Sequence, residues 1–251
     1  MGDELTNQWL GLANKRVLLV GAGGFGSEIA RALLDEGSQI YIVDKQTNLD
    51  LESSSLGKFG FESRELTNQE DCLAIVENAA EFLGGLDIFI YALGVNNRVS
   101  IDKITTEDYR RIHLINLELG LWLAQGVHHK MIGRGGKMVF FSSVSAFLAH
   151  PNHGAYAASK GALNQLLRVM AIEWAKKGIH VNAVAPGYAV TPLTQKYLER
   201  DNHYAELVSR VPAGRLARIQ DVVGPVLFLS SNRSDYVTGQ TIIIDGGRTL
   251  D

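Results

Sequence analysis

Arg16-Val17-Leu18-Leu19-Val20-Gly21-Ala22-Gly23-Gly24-Phe25-Gly26 decides the fold. A short aliphatic run stops at a glycine-rich turn, and apolar residues then recur at helical spacing, Ile29, Ala30, Leu33 and Leu34, as far as Gly37. Strand, turn and helix in that order open a βαβ unit. Glycines at Gly21, Gly24 and Gly26, with Phe25 between, let the backbone approach a pyrophosphate, and the helix beyond offers unpaired N–H groups and the positive end of its dipole. The next strand, Gln39 to Val43, ends in Asp44, 23 residues after Gly21. A carboxylate at that point accepts hydrogen bonds from adenosine ribose hydroxyls and repels a 2′-phosphate, so a dinucleotide is expected, and NAD over NADP. Lys45 follows; it either meets a phosphate or is solvated.

Composition narrows the class further. The 251 residues are 46% hydrophobic and 20% charged, enough for a large core, and one domain over 1–251 is expected. With 24 basic against 27 acidic residues the net charge is -3, and no basic run would track a phosphate backbone, so no nucleic-acid partner is expected. Cys72 is the single cysteine, which excludes an intramolecular disulfide and a cysteine-rich metal site, and no metal is expected. Met1 to Thr6 has no basic segment leading into an apolar core, and no apolar run reaches bilayer-spanning length. The expectation is a cytoplasmic protein without a membrane partner.

Farther along, residues 46–60 have a poor pattern. A third strand is predicted from Phe61 to Leu66, its end at Glu65 and Leu66 lying beside the adenine, then a helix from Asn68 to Phe82. Leu86 to Tyr91 reads as a parallel strand buried on both faces, followed by a close backbone approach at Ala92-Leu93-Gly94. Thr105 to Met131 has helical periodicity and carries Asn116 among Ile115, Leu117, Leu119 and Leu121. A buried amide there must be hydrogen-bonded, either as a structural tie to backbone or as a link in a proton path. Lys137 to Phe141 is a strand ending at Ser142-Ser143. Beyond it a helix carries Tyr156 and Lys160, which i, i+4 spacing puts on one face, so that an ammonium would favour the phenolate of a general base. Ser143 could hydrogen-bond the oxygen whose proton Tyr156 takes. His180 to Ala185 forms a sixth strand stopped by Pro186-Gly187. The polar stretch 188–215 is either a lid or a solvated excursion, and a helix from Gln220 to Ser230 and a strand from Thr241 to Ile244 close the chain.

In these motifs the chain resembles the short-chain dehydrogenase/reductases over essentially its whole length. Ser143 lies 13 residues before Tyr156, Tyr156 four before Lys160, Asn116 falls in the preceding long helix, and Pro186-Gly187-Tyr188-Ala189-Val190-Thr191 follows strand six. Tyr236-Val237-Thr238-Gly239-Gln240 and Asp245-Gly246-Gly247 are similar to the family's closing pattern. The resemblance implies a doubly wound α/β Rossmann fold, with a seven-stranded parallel sheet in the order 3-2-1-4-5-6-7 and helices on both faces. It implies Tyr156 as acid/base, Lys160 lowering its pKa and holding the nicotinamide ribose, Ser143 orienting the substrate oxygen and Asn116 anchoring a water relay. Ala189 and Thr191 would steady the carboxamide, Pro186 and Gly187 would flank it, and Leu93 and Gly94 would lie near the ribose. Three departures stand out: Val20 replaces the family's Thr and the glycine turn is one residue shorter, Tyr91-Ala92-Leu93-Gly94 replaces Asn-Asn-Ala-Gly, and Glu65 stands where Asp is more usual.

Within that family Asn96-Asn97-Arg98 and Pro186-Gly187-Tyr188 are most similar to dehydrogenases of sugar acids and polyols, such as gluconate 5-dehydrogenase-like enzymes. Arg98 could pair with a carboxylate or sulfonate at two points, and Ser145, His150, His153 and Tyr188 could line the same pocket, with 187–215 as the substrate lid. Two rival readings are a carbonyl reductase for apolar ketones or quinones and a non-catalytic NAD-binding sensor. The resemblance also implies a homotetramer pairing through long helices and the C-terminal strand.

Overall fold

The computed structural model describes residues 9–46, 51, 58–191, 194–195, 198–199 and 203–250. Seven parallel strands form one sheet: β1 (Arg16–Val20), β2 (Gln39–Asp44), β3 (Phe59–Ser63), β4 (Ile88–Tyr91), β5 (Gly136–Phe141), β6 (Ile179–Pro186) and β7 (Thr241–Ile244). Their order is β3-β2-β1-β4-β5-β6-β7, as expected. The order reverses between β1 and β4, and the C-terminal strand ends on either side of that switch open a crevice.

Strand side chains alternate between two cores. Leu18, Val20, Phe89, Tyr91, Met138 and Phe140 face α2 (Gln69–Leu83), α4 (Leu119–Met131) and α5 (Gly154–Trp174). Val17, Leu19, Ile40, Ile42, Ile90 and Val139 face α1 (Phe25–Asp35) and α7 (Ile219–Ser230). Such two-sided burial demands near-continuous apolar runs, which is how β1 and β4 read. Each large aliphatic residue so buried contributes about 1.5–3 kcal/mol of transfer free energy.

Two expectations need correction. The third strand is Phe59–Ser63 rather than Phe61 to Leu66. It pairs with Ile40 to Asp44, and β2 stops at Asp44, so nothing remains for Glu65 and Leu66 to pair with. Leu66 instead turns its side chain into the α2 side core, while Glu65 is exposed. The helix expected from Thr105 to Met131 is α3 (Thr106–His113) joined to α4 through a π-helical segment, Leu114–Glu118. A π turn shifts the carbonyl pattern by one residue and changes which side chains share a face. Here the Tyr91 hydroxyl donates to the Ile115 carbonyl, which gives the residue standing in place of the family's Asn a buried tie of its own.

Candidate active site

Asn116 lies in the π segment with no solvent exposure. Its Oδ1 accepts from Val95 N at 2.8 Å and its Nδ2 donates to Val95 O at 3.0 Å, so the amide grips the loop after β4 at both backbone groups. The same Nδ2 donates to Ser159 Oγ at 3.0 Å, and Ser159 in turn donates to the Tyr156 carbonyl at 2.7 Å. The structural-tie reading of Asn116 is therefore the one its contacts display. Ser159, fully buried inside α5, is a joint the sequence reading passed over; a serine one position before Lys160 bonding back to a carbonyl three residues earlier is its only local signal.

Lys160, 2% exposed, reaches from α5 back to the end of β5, where its Nζ donates to Phe141 O at 2.6 Å. The ammonium lies 5.9 Å from the centroid of the Tyr156 ring. Burial lowers its pKa to about 7. Burial also pushes the Tyr156 phenol up, and the Ser143 hydroxyl facing it offsets part of that rise. The expected lowering of Tyr156 by Lys160 is thus not seen: the lysine is held at a carbonyl, and desolvation governs both groups. Ser143 caps the single turn after β5, its Oγ accepting from Ser145 N at 3.1 Å, which leaves its own proton to donate toward the phenol or a substrate oxygen. A Cβ at Gly94 would stand 3.6 Å from Lys160 Nζ and 3.8 Å from Asn116 Oδ1, so Gly94, Lys160 and Asn116 converge.

The glycine turn fits a dinucleotide despite its shortened form. Gly24 caps α1 with φ 55° and no side-chain acceptor, so the N–H groups of the first helical turn face outward without a side-chain partner. A Cβ on Gly26 would fall 1.9 Å from Gly21 O, and one on Gly21, at φ 99°, would fall 2.8 Å from Ala92 C and Leu93 N; both packings demand glycine. Asp44, buried, accepts from Ala22 N at 2.6 Å and from Gln46 N at 2.9 Å. It ties the turn to the end of β2, and each oxygen keeps a lone pair for another donor. Lys45 is exposed next to it. Across the crevice, Gly187 N donates to Ile244 O and Val190 N to Ala217 O, pinning the segment of Pro186, Ala189 and Thr191 over the sheet end.

A cavity of about 390 Å³ lies beyond His153, Tyr188 and Arg98, the residues through which it meets Tyr156. Arg98, His150, His153 and Tyr188 line it, as expected, together with Glu206 and Leu207 of α6 (His203–Val208) and Arg210 beyond it. The Arg98 guanidinium sits 5.9 Å over the Tyr188 ring, and His150 packs edge-on against Tyr188 at 5.8 Å. Ser145 Oγ lies 3.3 Å from His150 Nδ1. His153 bonds Pro151 O at 2.9 Å and packs 6.2 Å from the Tyr156 ring. His150 is pushed down by burial, then by His153 and by Arg248, Arg210 and Arg98, so three guanidinium charges act on one ring. Arg210 and Glu206 carry no motif signal; only the fold brings them to the cavity. Pro192, Lys196, Arg200, Asp201 and Asn202 of the expected lid lie outside the described residues.

A family model described as Enoyl-(Acyl carrier protein) reductase matches residues 21–249. The chain belongs to the short-chain dehydrogenase/reductase family. It is accordingly an oxidoreductase acting on CH–OH groups, and the family binds a nicotinamide cofactor. Gluconate 5-dehydrogenase of Gluconobacter oxydans (strain 621H) is 31% identical to this short-chain dehydrogenase/reductase over 95% of its chain and 96% of the relative. A tropinone reductase homolog of Arabidopsis thaliana is 34% identical over 99% and 97%. The structure of a gluconate 5-dehydrogenase from Burkholderia cenocepacia J2315 in complex with NADP and tartrate superposes with a TM-score of 0.87 at 30% identity, covering 95% of this chain and 96% of that one.

Proposed function

We propose that the protein interconverts a secondary alcohol and a carbonyl on an anionic, polyhydroxylated substrate of the sugar-acid class, with NAD as cofactor. The observation that carries this reading is the convergence of Arg98, Arg210 and His150 on the cavity that meets Tyr156 through His153 and Tyr188. A carboxylate held there by the guanidiniums would leave the sugar's hydroxyls to reach Ser143 and Tyr156. Likeness to the gluconate 5-dehydrogenase of Gluconobacter oxydans supports the same class.

When bound, the nicotinamide supplies the acceptor or donor of hydride. In oxidation Ser143 donates a hydrogen bond to the reacting oxygen, which orients it, while Tyr156 takes the hydroxyl proton; in reduction Tyr156 returns it. Lys160, fixed at the end of β5 with its amine 5.9 Å from the Tyr156 ring, would grip a ribose hydroxyl of the cofactor. Asn116 keeps the loop after β4 in place and, through Ser159, holds the first turn of α5. Within the expected lid, α6 and Arg210 would cover the substrate from the outer side of the cavity. Asp44 supports NAD, because its buried carboxylate would face a 2′-phosphate, although the Burkholderia relative is described with NADP.

A carbonyl-reductase reading draws support from the tropinone reductase homolog, but the two guanidiniums of Arg98 and Arg210 lining the cavity suit an apolar ketone poorly. The test is initial rates with NAD and NADP at matched concentrations against sugar acids, neutral sugars, polyols and apolar ketones, with Tyr156→Phe as blank. NAD-dependent turnover of a sugar acid, lost in the variant, is the expected result. Turnover confined to apolar ketones would replace the substrate reading, and a preference for NADP would replace the Asp44 argument.

A further inference from the structure

At the opposite end of the sheet, where β4, β5 and β6 begin, lies a cleft of about 680 Å³. It is a full strand length from Ser143, which follows the C-terminal end of β5. Lys15, Arg134, Lys137, Lys176, Lys177 and His180 line it. Only two carboxylates do, and both are already engaged. Asp87 gives its two oxygens to the Arg16 guanidinium at 2.6 and 2.8 Å. Asp235 lies 2.7 Å from Lys137 Nζ. Among the described residues Lys15, Arg134, Lys176 and Lys177 have no carboxylate partner; Lys177 instead reaches His128 Nε2 at 3.0 Å. Five of the 24 lysines and arginines of a chain of net charge -3 line this one cleft.

The helices α4, α5 and α7 all end at this cleft, and basic residues at helix C-termini are expected on dipole grounds alone. The dipole does not account for the buried polar atoms. Ser230 Oγ, in a residue 2% exposed, has no hydrogen-bond partner, and neither has His180 Nδ1. Lys137, 8% exposed, is held at Asp235, 2.7 Å away. Ser230 Oγ and His180 Nδ1 thus each keep a hydrogen-bonding capacity at the wall of the cleft. Water could satisfy Ser230 and His180, but it would not neutralise the cations. A metal cation would face net positive charge and is disfavoured.

We propose that this cleft binds a small polyanion, a metabolite bearing phosphate or several carboxylates. Lys137 and Ser230 would hold it from the floor, and Lys176 and Lys177 from the rim. It would be a second ligand site on the enzyme, remote from the cofactor and substrate.

Pyrophosphate and, separately, citrate are titrated calorimetrically into the full-length protein at low salt, with its nicotinamide cofactor saturating so that the cradle at α1 is filled. The expected result, for at least one of the two anions, is a site that persists when Arg98 and Arg210 of the substrate cavity are both replaced by alanine, with affinity falling as sodium chloride rises from low to physiological strength. Which anion binds more tightly distinguishes a phosphate ligand from a polycarboxylate. Lys176→Ala with Lys177→Ala, both at exposed positions, weakens binding about tenfold and leaves turnover unchanged; Ser230→Ala weakens it about threefold. Absence of binding by both anions overturns the proposal, and so does an unchanged affinity in the double lysine variant.

Discussion

Tyr156, Lys160 and Asp44 each carry an expectation that one substitution separates from the rest. Tyr156→Phe removes the proton acceptor and leaves the ring packing against His153, so turnover falls by roughly 10²–10⁴ while NADH binding, followed by its fluorescence, stays near wild type. Asp44 has two jobs, one electrostatic and one structural. Asp44→Asn removes the charge but keeps an acceptor for Ala22 N or Gln46 N, and is expected to raise the NADP to NAD ratio of kcat/KM about tenfold at a cost near 1 kcal/mol. Asp44→Ala loses both ties and melts lower still. Lys160 bears on pH. Its folded pKa of about 7 lies below the usual lysine value, so between these two pH values the unfolded chain binds the extra proton and stability rises with pH. Lys160 adds a slope of up to about 1.4 kcal/mol per pH unit over that window. Urea melts of wild type and Lys160→Met at pH 7, 8 and 9 isolate it, and parallel curves for the two proteins would show that Lys160 keeps its proton in the fold.

Among the elements, the π segment at Leu114–Glu118 governs the site. Asn116→Ala removes two bonds to Val95 and one to Ser159, and leaves partly buried Val95 groups unsatisfied, an expected loss of about 2–3 kcal/mol. Hydrogen exchange should show the Val95 amide losing protection while amides in β1 keep theirs; equal loss at both would mean global rather than local loosening. The periodicity of 106–131 betrayed a helix and Asn116 betrayed a tie, but no local pattern encodes an extra residue in one turn. The Tyr91 hydroxyl that takes the Ile115 carbonyl comes from another strand. For the same reason β1, β4 and β7 were legible from their apolar runs, whereas the limits of β3 were not, since its partner β2 sets where pairing stops. At the site, Ser143, Tyr156 and Lys160 could be read because short motifs place them. Arg210 and Ser159 could not, because the fold around α6 and a buried amide bring them into play.

For the whole molecule, the homotetramer that the family resemblance implies can be tested at the exposed apolar side chains. On α5, Val169 and Ile172 are exposed, Ile172 by 79%. At the other side of the sheet Ile243 of β7, Tyr236 and Leu250 are exposed too. One patch would suffice for a dimer; two patches on different elements give two isologous interfaces and, with closed symmetry, a tetramer. Sedimentation equilibrium of the wild type should therefore give a four-chain species. Ile172→Glu introduces a charge at the α5 patch and Ile243→Lys one at the β7 edge; each should halve the mass, and together they should give monomers. Neither residue touches the cavity, so the dimers should keep the wild-type KM unless an interface also braces the lid. A single variant that yields monomers would mean that one patch carries the whole assembly, and a monomeric wild type would leave both patches without the role assigned to them.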